Sequence, residues 1–342
     1  MDLKFVVHIH VPDSLNSCTP SSSKIIKLFE NGRNVNRENV NETNEAGNTL
    51  LDRVVQNQNV YSPAIVSFLL EEGALLTKKT KTKTALHIAT ENMTDYSLDI
   101  VKILSENNSA AVNAVNDGWK TPLHYAVGNE HKSALEMVRL LLDKGADINN
   151  LGSNFGIPPL SFAIETKQES ALEMVRLLIE NGADVNRKDG IGFMSPLNYA
   201  VLKKHDSAPG IVALLLEKGA DVNPKDDFGL TPLFYAVKQE YVCAVEIVRL
   251  LLAKGARVLE KNVCEWTPLH WAALNKHESA PEIVSLLLER GAQMRQKDQD
   301  GLTPIRQAIR AKNEPVLVIF RSIVKNGDDV NSIHANVIRL SC

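Results

Sequence analysis

The sequence predicts an all-α solenoid of stacked helical repeats, and three observations predict it. Eight segments of the type Thr/Ser-Pro-Leu-x-x-Ala begin at Thr49, Thr84, Thr121, Pro158, Ser195, Thr231, Thr267 and Thr303, spaced 35 to 37 residues apart. A fixed period in this range marks a repeat array. Seventeen residues after each start stands an apolar residue, Val66 in the first copy and Phe320 in the last. Seven positions later comes Gly73, Gly145, Gly182, Gly219, Gly255, Gly291 or Gly327, replaced in one copy by Asn108, and both residue types tolerate a left-handed backbone.

The unit that starts at Thr121 shows why each element forms. Pro122 suits a first helical turn, where its missing N–H has no partner to lose and its φ is already helical. Leu123, Ala126 and Val127 recur at i, i+3 and i+4, one apolar stripe with a small residue where a neighbouring helix approaches. The polar run Gly128 to Lys132 ends that helix. Ser133-Ala134-Leu135-Glu136 reads as a capping box opening a second helix, repeated at Ser170 with Glu173 and Ser279 with Glu282. Met137, Val138, Leu140, Leu141 and Leu142 make the second helix largely buried until Gly145 caps it. A polar turn then leads to the next start. No single unit can bury its own stripe, so neighbouring units supply the other wall.

TPLHYA at 121–126, TPLHWA at 267–272 and TALHIA at 84–89, with LLLDKGADIN at 140–149 and LLLEKGADVN at 214–223, closely resemble the ankyrin repeat. The resemblance covers about residues 24–331. It implies an L-shaped unit of two antiparallel helices with a projecting β-hairpin, stacked so that a concave face receives partners. It also implies that His87, His124 and His270, at one motif position, bond the backbone of the next unit. The usual unit has about 33 residues, and roughly three more stand between the two helices here, as in Glu130-His131-Lys132 and Lys276-His277-Glu278. These are polar and read as a solvated longer turn.

The expected organisation is an N-terminal extension at 1–23, a capping half repeat at 24–48, repeats at 49–331 and a tail at 332–342. Ile25-Ile26-Lys27-Leu28-Phe29-Glu30-Asn31-Gly32 reads as a second helix without its first. The eleven residues after Asn331 are too few for the cullin-recruiting boxes that some ankyrin proteins append.

Composition narrows the function classes. Apolar residues at 44% and charged residues at 23% fit a folded soluble protein. A net charge of -3 gives no global attraction to phosphate, so no nucleic-acid partner is expected. Cys18, Cys243, Cys264 and Cys342 show neither disulfide-framework nor metal-ligand spacing. No apolar run reaches membrane-spanning length and Phe5-Val6-Val7 is too short for a signal core, so a monomeric cytoplasmic chain is expected, with nuclear location or secretion as an effector left open. No catalytic, metal or cofactor site stands out, since a catalytic histidine would not recur at repeat spacing. His8-Ile9-His10 alternates as in a strand and lacks a third ligand.

Two aromatic series remain. Tyr125, Phe162, Tyr199, Tyr235 and Trp271 stand four residues after their starts and read as packing, with tyrosine hydroxyls reaching outward, or as a binding stripe. Trp119, Phe155, Phe193, Phe228 and Trp266 fall in the hairpins, where aromatics on loops of a rigid scaffold serve as interface anchors or clasp adjacent hairpins. Lys78, Lys79, Lys81 and Lys83 form a basic hairpin that reads as a solvated charge run, a dock for an acidic partner or a localisation signal. The resemblance further implies that Asn149, Asn186, Asn223 and Asn331 are candidates for asparagine hydroxylation. The expected function is binding of a protein partner through the concave face and hairpin tips, as scaffold, inhibitor or effector. A non-catalytic regulatory subunit and a structural spacer are the alternatives.

Overall fold

Among the described residues, proline opens most of the first helices of the pairs and glycine follows most of the second. The computed structural model describes residues 6–10, 25–30, 33–76, 83–106, 109–153, 156–166, 170–203, 206–241 and 243–325. It divides into two compact units, 1–147 and 148–342.

The first unit opens with a three-stranded antiparallel sheet, β1 (Val6–His10), β2 (Ile25–Glu30) and β3 (Arg33–Asn34), in the order β1-β2-β3. Val6 pairs with Phe29 and His10 with Ile25. The helix expected at 25–30 is therefore a strand. Ile25, Ile26 and Phe29 are β-favouring residues, and the alternating Val6–His10 segment supplies a ladder in register, whereas a lone second helix has no first helix to pack on. Helical pairs follow: α1 (Leu50–Gln56) with α2 (Ser62–Glu71), α3 (Ala85–Glu91) with α4 (Ser97–Ser105), then the short α5 (Ser109–Val112), and α6 (Pro122–Val127) with α7 (Ala134–Asp143). Within this unit α1, α3 and α6 pack side by side as one row, and α2, α4 and α7 as a second.

The second unit continues with α8 (Pro159–Glu165) and α9 (Ala171–Glu180), α10 (Pro196–Leu202) and α11 (Ala208–Glu217), α12 (Pro232–Lys238) and α13 (Ala244–Ala253), α14 (Pro268–Leu274) and α15 (Ala280–Glu289), and α16 (Pro304–Ala311) and α17 (Glu314–Lys325). Here too first helices pack on first helices and second on second. The core lies between the two rows: Leu197, Ala200 and Val201 of α10 and Ile211, Val212 and Leu215 of α11 are fully buried. Complete burial of one Val or Leu side chain contributes about 1.5–3 kcal/mol, so neighbouring rows stabilise each other over the whole length of a unit.

The second helices end as the glycine pattern demands. At Gly145, φ is 85°, its N–H bonds the Leu142 carbonyl at 3.0 Å, and the Ala146 N–H reaches Leu141 at 2.9 Å. This is a Schellman closure, which a Cβ would strain.

Capping differs from the sequence expectation. Ser133, Ser170 and Ser279 are N-cap residues but make no side-chain cap bond. Their backbones sit near the helical region, where an N-cap hydroxyl cannot face the orphan amides. Ser133 Oγ instead lies 2.7 Å from His131 Nδ1, and Ser279 Oγ 2.8 Å from His277 Nδ1. The reciprocal boxes stand one helix earlier, at Thr49 with Asp52, Thr84 with His87, Thr121 with His124, Ser195 with Asn198, and Thr267 with His270.

The lengthened turns are also less solvated than their composition predicts. Asn129 Nδ2 donates to the Thr90 and Asn92 carbonyls at 2.9 Å each, and its Oδ1 accepts the His131 N–H at 2.8 Å. Asn275 repeats this on Val237 and Gln239 at 2.9 and 3.0 Å, with His277 N–H at 2.9 Å. The added residues let one asparagine tie its own turn to the previous helix pair, while Glu130, Lys132, Lys276 and Glu278 stay exposed.

Candidate interaction surface

Four hairpins in the second unit are held from inside by a buried or half-buried Asp or Asn five or six residues before the next start, at Asp189, Asp226, Asn262 and Asp298. Asp189 Oδ1 accepts the Gly192 and Met194 N–H at 3.1 Å and that of Ile191 at 3.3 Å. Asp226 does the same for Phe228 and Leu230 at 2.9 and 2.8 Å, and Asn262 for Cys264 and Trp266 at 3.0 and 2.8 Å. The remaining oxygen is bound by the inner helix: the Tyr199 hydroxyl donates to Asp189 Oδ2 at 2.5 Å, and the Tyr235 hydroxyl to Asp226 Oδ2. In the first unit Asn116 accepts the Lys120 N–H at 2.8 Å and donates to the Tyr125 hydroxyl at 2.8 Å. Burial first, and the bonded carboxylate second, push the Tyr199 and Tyr235 hydroxyls above the ordinary phenol range. The five aromatics from Tyr125 to Trp271 are half-buried, and the three tyrosines among them brace the hairpins.

The hairpin-tip aromatics divide into two kinds. Trp119, Phe193 and Phe228 are 57%, 53% and 63% exposed. Trp119 and Phe193 also adopt positive φ, 60° and 54°, two residues before their starts. The same position holds Gly229 at 70° and Gly301 at 72°. A bulky side chain there strains the backbone by about 1–2 kcal/mol. Trp266, by contrast, is half-buried, 6.4 Å from Trp271 at 89°, which is the local-packing alternative. Phe155, Lys78, Lys79 and Lys81 lie outside the described residues.

Successive tips in the second unit are joined through their backbones: the Asp227 N–H bonds Gly192 O at 3.2 Å, Val263 bonds Phe228 O at 3.1 Å, and Gln299 bonds Cys264 O at 3.2 Å. Ile191, Phe193, Phe228 and Val263, each more than half exposed, therefore ride on one connected rim.

The paired helices, the Gly-terminated second helix and the Asp- or Asn-centred hairpin recur together. A family model described as ankyrin repeats matches residues 94–189, 190–262 and 246–333. The chain belongs to the ankyrin-repeat family. Ankyrin repeats are generally protein–protein interaction modules. The matched stretches begin at residue 94, so the unit at Thr49 and the first helix of that at Thr84 stand on their helix pairing. No curated protein matches the chain.

Two of the three histidines, His87 and His270, make the next-unit bond that the resemblance implied. His87 Nδ1 accepts the Thr84 N–H at 3.2 Å, which leaves the proton on Nε2 to donate to the Lys120 carbonyl at 3.0 Å. His270 accepts from Thr267 at 3.1 Å and reaches the Leu302 carbonyl at 3.2 Å. Burial above all holds the His270 pKa below the ordinary imidazole value. Among the described residues no group of three or more His, Cys, Asp or Glu is placed to hold a metal ion. Nor is any described helix long and apolar enough to cross a membrane.

The asparagines expected as hydroxylation candidates hold the units in register. Asn186 donates to Gly219 O at 3.3 Å and accepts the Asp221 N–H at 2.8 Å. Asn149 treats Gly182 and Asp184 alike, at 3.3 and 2.8 Å, as Asn223 treats Gly255 and Arg257, at 3.3 and 2.9 Å. Asn331 lies outside the described residues. The sequence reading missed the equivalent Asn41 and Asn113, which grip Gly73 and Leu75, and Gly145 and Asp147. Their spacing of 32 residues before Gly73 and Gly145 was the available signal.

Proposed function

We propose that this ankyrin-repeat chain is a non-catalytic protein-binding module whose hairpin tips supply apolar anchors to a macromolecular partner. One observation carries the reading: Trp119 and Phe193 are held exposed on a strained, left-handed backbone where other hairpins of the chain place Gly229 and Gly301. Backbone strain retained at an exposed bulky residue points to function, because the fold itself would be better served by glycine. The rigid Asp- and Asn-centred hairpins limit the ordering that binding requires, and Phe228, Ile191 and Val263 extend the apolar rim. Scaffold, inhibitor and effector roles all use such a surface.

The test is the pair Trp119→Gly and Phe193→Gly. Both variants should fold at least as stably as the wild type, yet lose partners recovered by affinity purification and mass spectrometry from the native cell. Unchanged recovery with the fold intact would overturn the tip-centred reading.

A further inference from the structure

The geometry points to a second binding site, on the inner helices of the second unit, for an extended acidic peptide that carries one bulky apolar side chain. It rests on the reading of the chain as a protein-binding module and gives that module a chemical preference.

Among the described residues, the hairpin and inner-helix aromatic series meet at Trp266 and Trp271. Trp266, at the end of a hairpin, and Trp271, in α14, stand perpendicular with ring centroids 6.4 Å apart, and Phe234 meets the far side of Trp271 at 6.1 Å and 81°. With Leu274, Asn275, Lys238 and Glu240 the two indoles enclose an open cavity of about 210 Å³. Its volume admits an isobutyl or benzyl group, and perpendicular rings offer a third ring both a face and an edge. Neither indole N–H has a hydrogen-bond acceptor among the described residues, and neither is sealed from water. Two donors beside an apolar slot suit the free carbonyls of an extended backbone, which makes no internal hydrogen bonds.

Charge selects the flanking residues of that peptide. The Lys238 ammonium lies 4.8 Å from the Trp271 ring centre. Lys276 follows Asn275 on the next turn, and Arg310 repeats the position of Lys238 and Leu274 one helix further along. All three cations are exposed, and none has a carboxylate partner among the described residues. Glu240 is the single opposing charge in the lining. Within the lining Lys238 is matched by Glu240, and Lys276 and Arg310, flanking it without carboxylate partners among the described residues, tip the balance toward an acidic occupant by attraction at encounter and by pairing once bound. Other cations of this unit are committed: Lys225 and Arg257 hold Glu260 at 2.5 and 3.1 Å, and Lys261 holds Glu265 at 3.0 Å.

The test uses the full chain and three fluorescein-labelled, end-capped pentapeptides: Asp-Glu-Phe-Glu-Asp, Lys-Arg-Phe-Arg-Lys and Asp-Glu-Ser-Glu-Asp. Fluorescence anisotropy should show saturable binding of the first, with each of the others weaker by about tenfold or more. Trp271→Ala should abolish binding. Because that change could also damage the core, Lys238→Glu is the decisive variant: its side chain is exposed and outside the core, and the change should weaken the acidic peptide by about fivefold while improving the basic one. Equal binding of the three peptides, no binding of the acidic phenylalanine peptide up to about 1 mM, or indifference to Lys238→Glu overturns the proposal. Capture of cellular partners through the tips is measured separately, so failure here would leave that reading standing, and the reverse holds as well.

Discussion

The hairpins at Phe193 and at Trp266 share a unit and a design, but they dispose their aromatic residues in opposite ways. Phe193, two residues before its start, takes φ of 54° and projects into solvent. Trp266, one residue before its start, turns inward onto Trp271 and His270. A shift of one position along the same hairpin therefore decides whether an aromatic side chain becomes a surface anchor or the wall of a cavity. The anchoring groups differ too. Asp189 gathers three backbone N–H groups and a tyrosine, whereas Asn262 gathers two N–H groups and the residue standing where Tyr199 and Tyr235 do is Trp271, which offers its hairpin no hydroxyl.

The largest expected effect tests that difference. Asp189→Ala orphans the hairpin amides and the Tyr199 hydroxyl, and it should destabilise the protein by about 2–4 kcal/mol, against about 1–2 for Asn262→Ala. Urea titrations of the two variants measure the gap, and equal losses would show that the tyrosine brace adds nothing. Next, Phe193→Gly should stabilise by about 1 kcal/mol through relief of the left-handed strain, less glycine's larger entropy loss on folding. Glu265→Gly, at the same position of the Trp266 hairpin with φ of 59°, should gain a similar amount, as thermal unfolding would show.

A smaller effect concerns the link to the next unit. Asn198 is fully buried and its Nδ2 has no partner among the described residues, because its side chain is shorter than the imidazoles that span this gap at His87 and His270. Asn198→His should reach the Leu230 carbonyl and stabilise by about 0.5–1 kcal/mol. A lower melting temperature would instead mean that the imidazole does not fit. Smallest is the pH response of His270. Its folded pKa lies below the unfolded value, so the unfolded chain takes up the proton first and stability falls as pH drops below about 6.5. Replacement by phenylalanine, which Phe234 provides at the same repeat position, should flatten that dependence in urea titrations between pH 7.5 and 5.5.

The helix pairs, their proline starts and glycine ends were legible in the sequence because each rests on local backbone chemistry repeated along the chain. The histidine link was legible through its recurrence. The Ser133 capping box was misread because the motif is also satisfied by a serine that bonds a neighbouring imidazole, a choice made by backbone angles and not by residue type. The strand at 25–30 was misread because its partner, Val6–His10, is distant in sequence. The strain at Trp119 and Phe193 was readable in part, since Gly229 and Gly301 mark the position as left-handed. The meeting of Trp266 with Trp271 was not, since two separate periodic series converge there only through the turn between hairpin and helix.

The asparagines at the unit boundaries have one more consequence. Asn149, Asn186 and Asn223 each hold the following turn by the same pair of main-chain bonds, so every junction they form is interchangeable with the others. Recombination that inserts or removes one whole period would rejoin like ends, while a break of any other length would leave an amide facing the wrong residue. At these asparagine bonds the array can thus grow or shrink by duplication without a new contact having to be devised.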